Sequence, residues 1–568
     1  MKKINIKLFV SLTAIILGLA SCSGPTTSPS VNPTTSTDPT TTTTTTTTVI
    51  DEGDYKENKD LPRAATSYNE FGEEKPLNMF NIEANAGMPT LNPLGEQRLL
   101  IVPVGLNDDT GENPLFPGVS KSGRTDKQTT ERLDQIENLF FGKADETGWQ
   151  SIKSFYETSS FGKVTVSGSV LKPNGGWYKP NLTPTELVAK GGNAGTDWLL
   201  DDITDYYKTE YAKADHGALG TTAKPLTWYD QNKDGFVDTI WMVYSCAIHA
   251  AGGQSDFWAF VSRNGGNINR PNVASPVSMN YGWASIDFMD QAYGTGKDAH
   301  TFIHETGHIF GLDDYYSYDH NSSPMGAIDM MDNNIGDHNA FSKFTLGWNS
   351  PLVVTESSRV TLRSGAETGD CFIIASPKYN NTAFDEYLMV EFVTPTNLNH
   401  KDYTSVYPGN SLQGFSEPGI RITHVDARVY GNGQSHEEYA KTVKEVAASS
   451  SFRVMNTPSG RNSGLKDSFP ITKKSMYLLH LIEAVSTEEE NCLTQANYRA
   501  KNETLFTEGF TYNPAKASFS YFMPSNTNIW NKAKTSETEF DVNCKMNFKL
   551  KVESVTNEQA VVTVTYTK

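Results

Sequence analysis

Cysteine is scarce in this sequence, with five residues among 568. That density excludes a small scaffold held together by disulfides. Beyond Cys22, the cysteines are Cys246, Cys371, Cys492 and Cys544, and their spacing matches no zinc ribbon or redox motif. Their even number permits two disulfides in an exported chain and equally permits four buried thiols. Positive charge is also in deficit: 48 Lys and Arg against 66 Asp and Glu leave a net charge of −18. A nucleic-acid partner is excluded, because nothing here builds a phosphate-neutralising surface. Long apolar runs are absent beyond Leu19, so no later segment reaches the length of a membrane span.

The first residues carry an address. Met1-Lys-Lys is a basic opening, and Leu8 to Leu19 is an apolar stretch too short to cross a bilayer comfortably. It runs into Leu19-Ala-Ser-Cys22, and small residues directly before a cysteine resemble a bacterial lipoprotein cleavage site. The resemblance implies cleavage after residue 21, lipid on Cys22, and a location on the extracellular face of the cell membrane. Residues 22–50 are rich in Ser, Thr and Pro, with unbroken threonine from Thr40 to Thr48. Such a stretch cannot build a core and reads as a solvated tether. Residues 51–94 read as a strap or a propeptide-like segment; composition does not choose between them.

Residues 298–316 organise the rest. They contain His304-Glu305-Thr306-Gly307-His308. On a helix, residues four apart share a face, so both imidazoles can aim at one metal ion. Glu305 is rotated by about 100° from His304, where a general base for a metal-activated water belongs. Phe302, Ile303, Ile309 and Phe310 recur at helical spacing and predict burial. Gly311 can end the helix with positive φ and turn the chain back, so that Asp314 supplies a third ligand. The pattern His-Glu-x-x-His-x-x-Gly-x-x-Asp is a metzincin layout with aspartate in the third position. A glutamate ligand from a later helix is ruled out, since none occurs between Glu305 and Glu356. His300, one turn earlier, cannot reach the same ion on a straight helix and reads as a supporting or structural residue. Met331 is the expected methionine turn beneath the site, with Met325 the alternative.

A second motif, Asp230-Gln-Asn-Lys-Asp-Gly-Phe-Val-Asp238, places oxygen donors at Asp230, Asn232, Asp234 and Asp238, with the Phe236 carbonyl between them. This is the first part of a calcium loop. Its closing glutamate is missing, because Trp241 stands there. The competing reading is an Asp- and Gly-rich turn that caps a strand.

Elsewhere, Gln97–Leu106 predicts a buried strand opening a catalytic domain over 95–350. Asp126 is placed to cap a helix through Phe141, Ser151–Lys163 reads as helix and turn, Val164–Val170 as a strand, and Gly195–Tyr211 as an amphipathic helix. Thr239–Tyr244 is a further strand, and the loop from His249 to Trp258, including Asp256, leads into an edge strand. Past Trp348 the texture turns to β, with runs at 385–393, 419–426, 477–484 and 559–566. The expected fold is α+β: a metzincin-like zinc protease catalytic domain followed by a β-rich, sandwich-like C-terminal region over 351–568. His424, Asp426, His480 and Glu483, set in apolar strands, read as a structural hydrogen-bond cluster in preference to a second cation site.

The HEtGH run through Tyr316, then Gly326-x-x-Asp329-x-Met331 and Lys343-Phe-Thr-Leu-Gly-Trp348, resembles the immune-inhibitor-A-like metallopeptidases, peptidase family M6, with Ile328 where that family usually has tryptophan. The resemblance extends to Ser151–Val170 and to the Asp230 loop. It implies zinc on His304, His308 and Asp314, Glu305 as general base, and endopeptidase action on extracellular proteins, with calcium as a second cofactor. Tyr316 and His338 are the candidates for an oxyanion helper. No cysteine lies between Cys22 and Cys246, which excludes a propeptide thiol that caps the zinc. The rival expectation is a calcium-dependent adhesin or glycan-binding lipoprotein on a protease scaffold. The intact Glu305 speaks against it, since an inactive site needs no base.

Overall fold

The structure is a computed structural model that describes residues 55–70, 73–76, 90–107, 128–253, 256–263, 271–290, 297–316, 323–375, 379–406, 413–427, 429–431, 452–454, 478–486, 492, 499–514 and 548–566. Cys22, Asp126, Cys544 and the tether lie outside them.

The chain opens with a short strand, β1 (Lys56–Glu57), and then enters β2 (Gly95–Val104). Helix α1 (Thr130–Phe141) starts on Thr129, whose side chain accepts from the Arg132 amide. The described cap is thus a threonine just ahead of the apolar stripe. Helix α2 (Ile152–Ser159) is capped by Ser151 in a reciprocal box with Ser154. It ends at two positive-φ residues, Phe161 and Gly162, and leads into β3 (Val164–Val170). Helix α3 (Thr196–Tyr211) and strands β4 (Ile240–Tyr244), β5 (Phe260–Ser262) and β6 (Tyr281–Ser285) follow. These strands form one sheet in the order β3-β2-β4-β6-β5. The first four run parallel, and β5 closes the edge antiparallel to β6.

Strand periodicity distributes the side chains of this sheet. Leu99, Ile101, Trp241 and Val243 face a core built with Leu133, Ile136, Phe155 and Phe302 from the helices. Leu100, Val102, Met242 and Tyr244 face the other side, against Leu199, Ile203 and Tyr207 of α3. A sheet covered on both faces needs apolar residues at consecutive positions, which is why β2 and β4 read as unbroken apolar runs.

Helix α4 (His300–Ile309) lies on the first face, with Phe302 packed at 5.5 Å from the Trp241 ring. After α5 (Ala340–Thr345) the chain becomes mostly β. Strands β7 (Leu352–Val354), β8 (Ser358–Arg363), β9 (Cys371–Ala375), β10 (Glu386–Val393), β11 (Gly419–Asp426), β12 (Leu479–Ile482), β13 (Thr511–Tyr512), β14 (Phe548–Val555) and β15 (Gln559–Tyr566) build two further sheets. Their orders are β7-β9-β10-β11-β12 and β1-β8-β15-β14-β13.

The first of these two sheets is buried on both faces. Tyr387 and Met389 pack with α4, α5 and Trp348. Leu388, Val390 and Phe392 pack against Val360, Leu550 and Val562 of the other sheet. The outer sheet alternates, with Leu550 and Val552 buried while Lys549 and Lys551 are exposed, as a sheet with one wet face must. The core that holds α4 therefore continues through residue 350 without a break, and Glu52–Lys568 form one compact unit.

The segment before β2 is built into this unit. β1 pairs with β8, and Asn58 makes two hydrogen bonds to the backbone of Thr361. The Leu91 amide donates to Ile309 at the end of α4, and Trp348 Nε1 donates to Pro93. The described parts of 51–94 are packed onto the rest of the unit through these bonds. Of the two readings left open for the cysteines, the structure has Cys246, Cys371 and Cys492 as buried free thiols; Cys544 lies outside the described residues.

Candidate metal centre

Helix α4 carries the site because it is pinned at both ends. Asp298 Oδ1 accepts from the His300 amide at the start. At the other end the Leu312 amide reaches Gly307 and the Gly311 amide reaches His308, with Gly311 at φ 101°. This paired closure needs a residue in the left-handed region, which glycine adopts without a Cβ penalty. The turn brings Asp314 back over the helix, and the Tyr315 amide donates to Met331 at 2.8 Å to hold it there.

Three donors then converge. His304 Nε2 and His308 Nε2 stand 2.9 and 3.1 Å from the same Oδ1 of Asp314. The two rings are 4.9 Å apart and nearly perpendicular, at 85°. His304 Nδ1 donates to the Met330 carbonyl at 2.8 Å, and His308 Nδ1 donates to Leu312 at 2.7 Å. The Nδ1 bonds leave each ring's Nε2, the atom that would turn its lone pair to a bound cation, facing Asp314 Oδ1. Two imidazoles and a carboxylate are a donor set suited to zinc, with a further position left for water or substrate. Among the described residues, this is the one group of three such side chains whose donor atoms gather within 4.8 Å of one another.

The electrostatics agree with a cation-binding pocket. Burial works to lower both imidazoles, but Asp314 outweighs it, raising His304 and carrying His308 up to about 9. Burial works to raise Asp314, and His308 and His304 hold it well below the usual carboxylate range instead. Glu305 is 8 % exposed, and burial pushes its carboxyl up against the pull of the two imidazoles. A raised carboxyl suits a group that must accept and release a proton.

Met331 lies beneath the helix between the ligands: a Cβ on Gly307 would sit 2.5 Å from its sulfur. Asp329 shapes that turn, accepting from the Met331 amide and from both nitrogens of Asn339. Met325 is also buried in this core. His300 donates Nε2 to the Asn334 carbonyl, and burial lowers it to about 3, in keeping with a supporting role.

Tyr316 is half-buried, two residues past Asp314. His338 lies within electrostatic reach of His304. It is 3 % exposed and packs among the rings of Phe155, Tyr156 and Trp348, where burial and then Lys343 hold it well below its ordinary range.

The Asp230 loop closes on itself. Asp230 accepts from the Asp234 and Gly235 amides, Asn232 Oδ1 from the Asp234 amide, Asp234 from the Phe236 amide, and Asp238 from the Gln231 amide. Asp230, Asp234 and Asp238 are not among the groups of three such side chains whose donor atoms lie within 4.8 Å of one another. His249 and Asp256 are spent on their own loop, through the Gly253 carbonyl and amide. In the C-terminal strands, His424 pairs with Glu386 at 2.9 Å and Glu483 accepts from the Cys492 amide.

Two residues near the site carried no readable signal. Tyr156 of α2 donates to the Ile303 carbonyl, and Arg263, just past β5, donates to the carbonyl of His308. Each acts on helix backbone from a distant segment, and no local pattern announces that. Neither a scan against protein-family models nor a search of curated proteins returns a match to this chain.

Proposed function

We propose that this protein is a zinc-dependent endopeptidase of metzincin type, held on the outer face of the cell membrane by lipid on Cys22. The carrying observation is the convergence of His304 Nε2, His308 Nε2 and Asp314 Oδ1, with the Glu305 carboxyl on the same helix beside them. His304, His308 and Asp314 would hold the ion. Zinc bound there supplies a Lewis acid that polarises a carbonyl and makes water acidic enough to react at neutral pH.

The chain's own residues do the rest. The Nδ1 bonds to Met330 and Leu312 fix the tautomer and heading of each imidazole. Glu305 takes a proton from the attacking water and returns it to the leaving amine. Among the described residues β5 is the last strand at its edge of the sheet, which supports pairing with an extended peptide.

The test is casein hydrolysis by the purified protein with and without a chelator, beside Glu305→Ala. The variant is expected to keep its metal and to lose about 10²- to 10⁴-fold in rate. Hydrolysis at the parent's rate by that variant would overturn the reading, as would a protein that takes up no zinc.

A further inference from the structure

The Asp230 loop forms one wall of a cavity of ≈ 260 Å³. Leu91 and Leu94 of the strap and Val237 and Met279 line its apolar part, while Asn232, Asp234 and Glu96 stand at an exposed rim. Asp238 also lines it, with one carboxylate oxygen bound to the Gln231 amide.

The deciding residue is Asn280. It is 3 % exposed, it lines the cavity, and among the described residues neither its Oδ1 nor its Nδ2 meets a hydrogen-bond partner. The hydroxyl of Thr90, also in the lining, has none either. A buried amide left with both faces unmet is costly unless a ligand meets it.

The charge of the lining narrows the ligand. Glu96 is neutralised by Arg98 at 2.7 Å. Arg98 also acts on Asp238, but no cationic side chain is part of the lining itself. Anions are thereby disfavoured, and a donor-rich cation with an apolar stem is favoured.

We infer that this cavity binds an organic cation, an ammonium or guanidinium group on an aliphatic stem, of the kind a lysine or arginine side chain presents. The stem lies on Leu94 and Met279, and the charged head meets Asp234, Asp238 and the Asn280 oxygen. The cavity adjoins the metal helix, because the Leu91 amide is bonded to Ile309, next to the ligand His308. That the cation belongs to a peptide substrate rests on the peptidase reading. The binding itself does not.

The experiment is calorimetric titration of the full chain carrying Glu305→Ala with Nα-acetyl-lysine methylamide and its arginine counterpart, beside the norleucine analogue, which has the same stem and no charge. The charged probes are expected to bind at least about tenfold more tightly than norleucine, the size of one charge-assisted hydrogen bond. Asp234→Asn, at the exposed rim, and Asn280→Ala are each expected to weaken the charged probes by a similar factor with unchanged circular dichroism. Equal binding of norleucine, or indifference to both substitutions, overturns the inference. So does calcium binding that requires Asp234 and shuts out the charged probes, since the cavity is then an inorganic cation site. Failure of the peptidase reading shows in the casein assay and leaves this titration unaffected.

Discussion

At the scale of single residues, Gly307 sits inside the His-Glu-x-x-His motif for a steric reason. A Cβ there would meet the Met331 sulfur at 2.5 Å and the Tyr156 hydroxyl at 3.4 Å. Gly307→Ala is expected to cost about 1–3 kcal/mol, as overpacking does, and to lower zinc content by displacing Met331 from beneath the ligands. Denaturant unfolding and metal analysis of the variant check both. His480 supplies a pH signature of its own. Burial, and then His424, lower it to about 3 in the native state. The unfolded chain binds a proton at this residue below about 6.5, and the native state does not. Unfolding therefore takes up a proton between those values, and stability falls as pH drops through the window, by up to about 1.4 kcal/mol per pH unit. Glu483 works the other way: burial raises it to about 7, so its contribution declines as pH rises toward that value. His480→Gln is expected to flatten the acid-side decline in stability measured by urea unfolding from pH 6.5 to 4. An unchanged slope would show that His480 is protonated in the folded protein.

At the scale of elements, legibility followed locality. Val164–Val170 and Gly419–Asp426 fall where the sequence placed them, because each alternates or runs apolar between clear breakers. Helix α4 ends at the expected glycine. The strap was left open, since its partners are distant in the chain: β8 for β1, Thr361 for Asn58, Trp348 for Pro93. Ala64 and Leu91 are buried in the same core as α4. Deleting residues 55–66 is therefore expected to lower the thermal midpoint by more than about 5 °C, from lost burial and several backbone bonds. An unchanged midpoint would favour a removable propeptide.

At the scale of the whole molecule, the expected division at residue 350 marks a change of texture within continuous packing. Ile303 and Phe344 share a core with Ile373 and Tyr387 from the β-rich part. Among the described residues no helix is long and apolar enough to cross a membrane, and attachment is proposed to rest on Cys22 alone. Cys22→Ser is expected to move the protein from the membrane fraction to the soluble fraction and to abolish labelling by radioactive palmitate. Continued sedimentation with membranes would sink the lipid anchor.

The sequence alone determined that His304 and His308 share a helix face, that Glu305 stands beside them and that the chain turns at Gly311, because all lie within a few residues of one another and helix periodicity converts spacing into direction. Only the tertiary structure decided that Asp314 Oδ1 stands between both Nε2 atoms, that His338 is enclosed by rings, and that the Asp230 loop borders a cavity with Asn280 on its wall. Those outcomes depend on which distant segments share a core. Side-chain burial from the far end of the chain sets that partnership, and no local period records it.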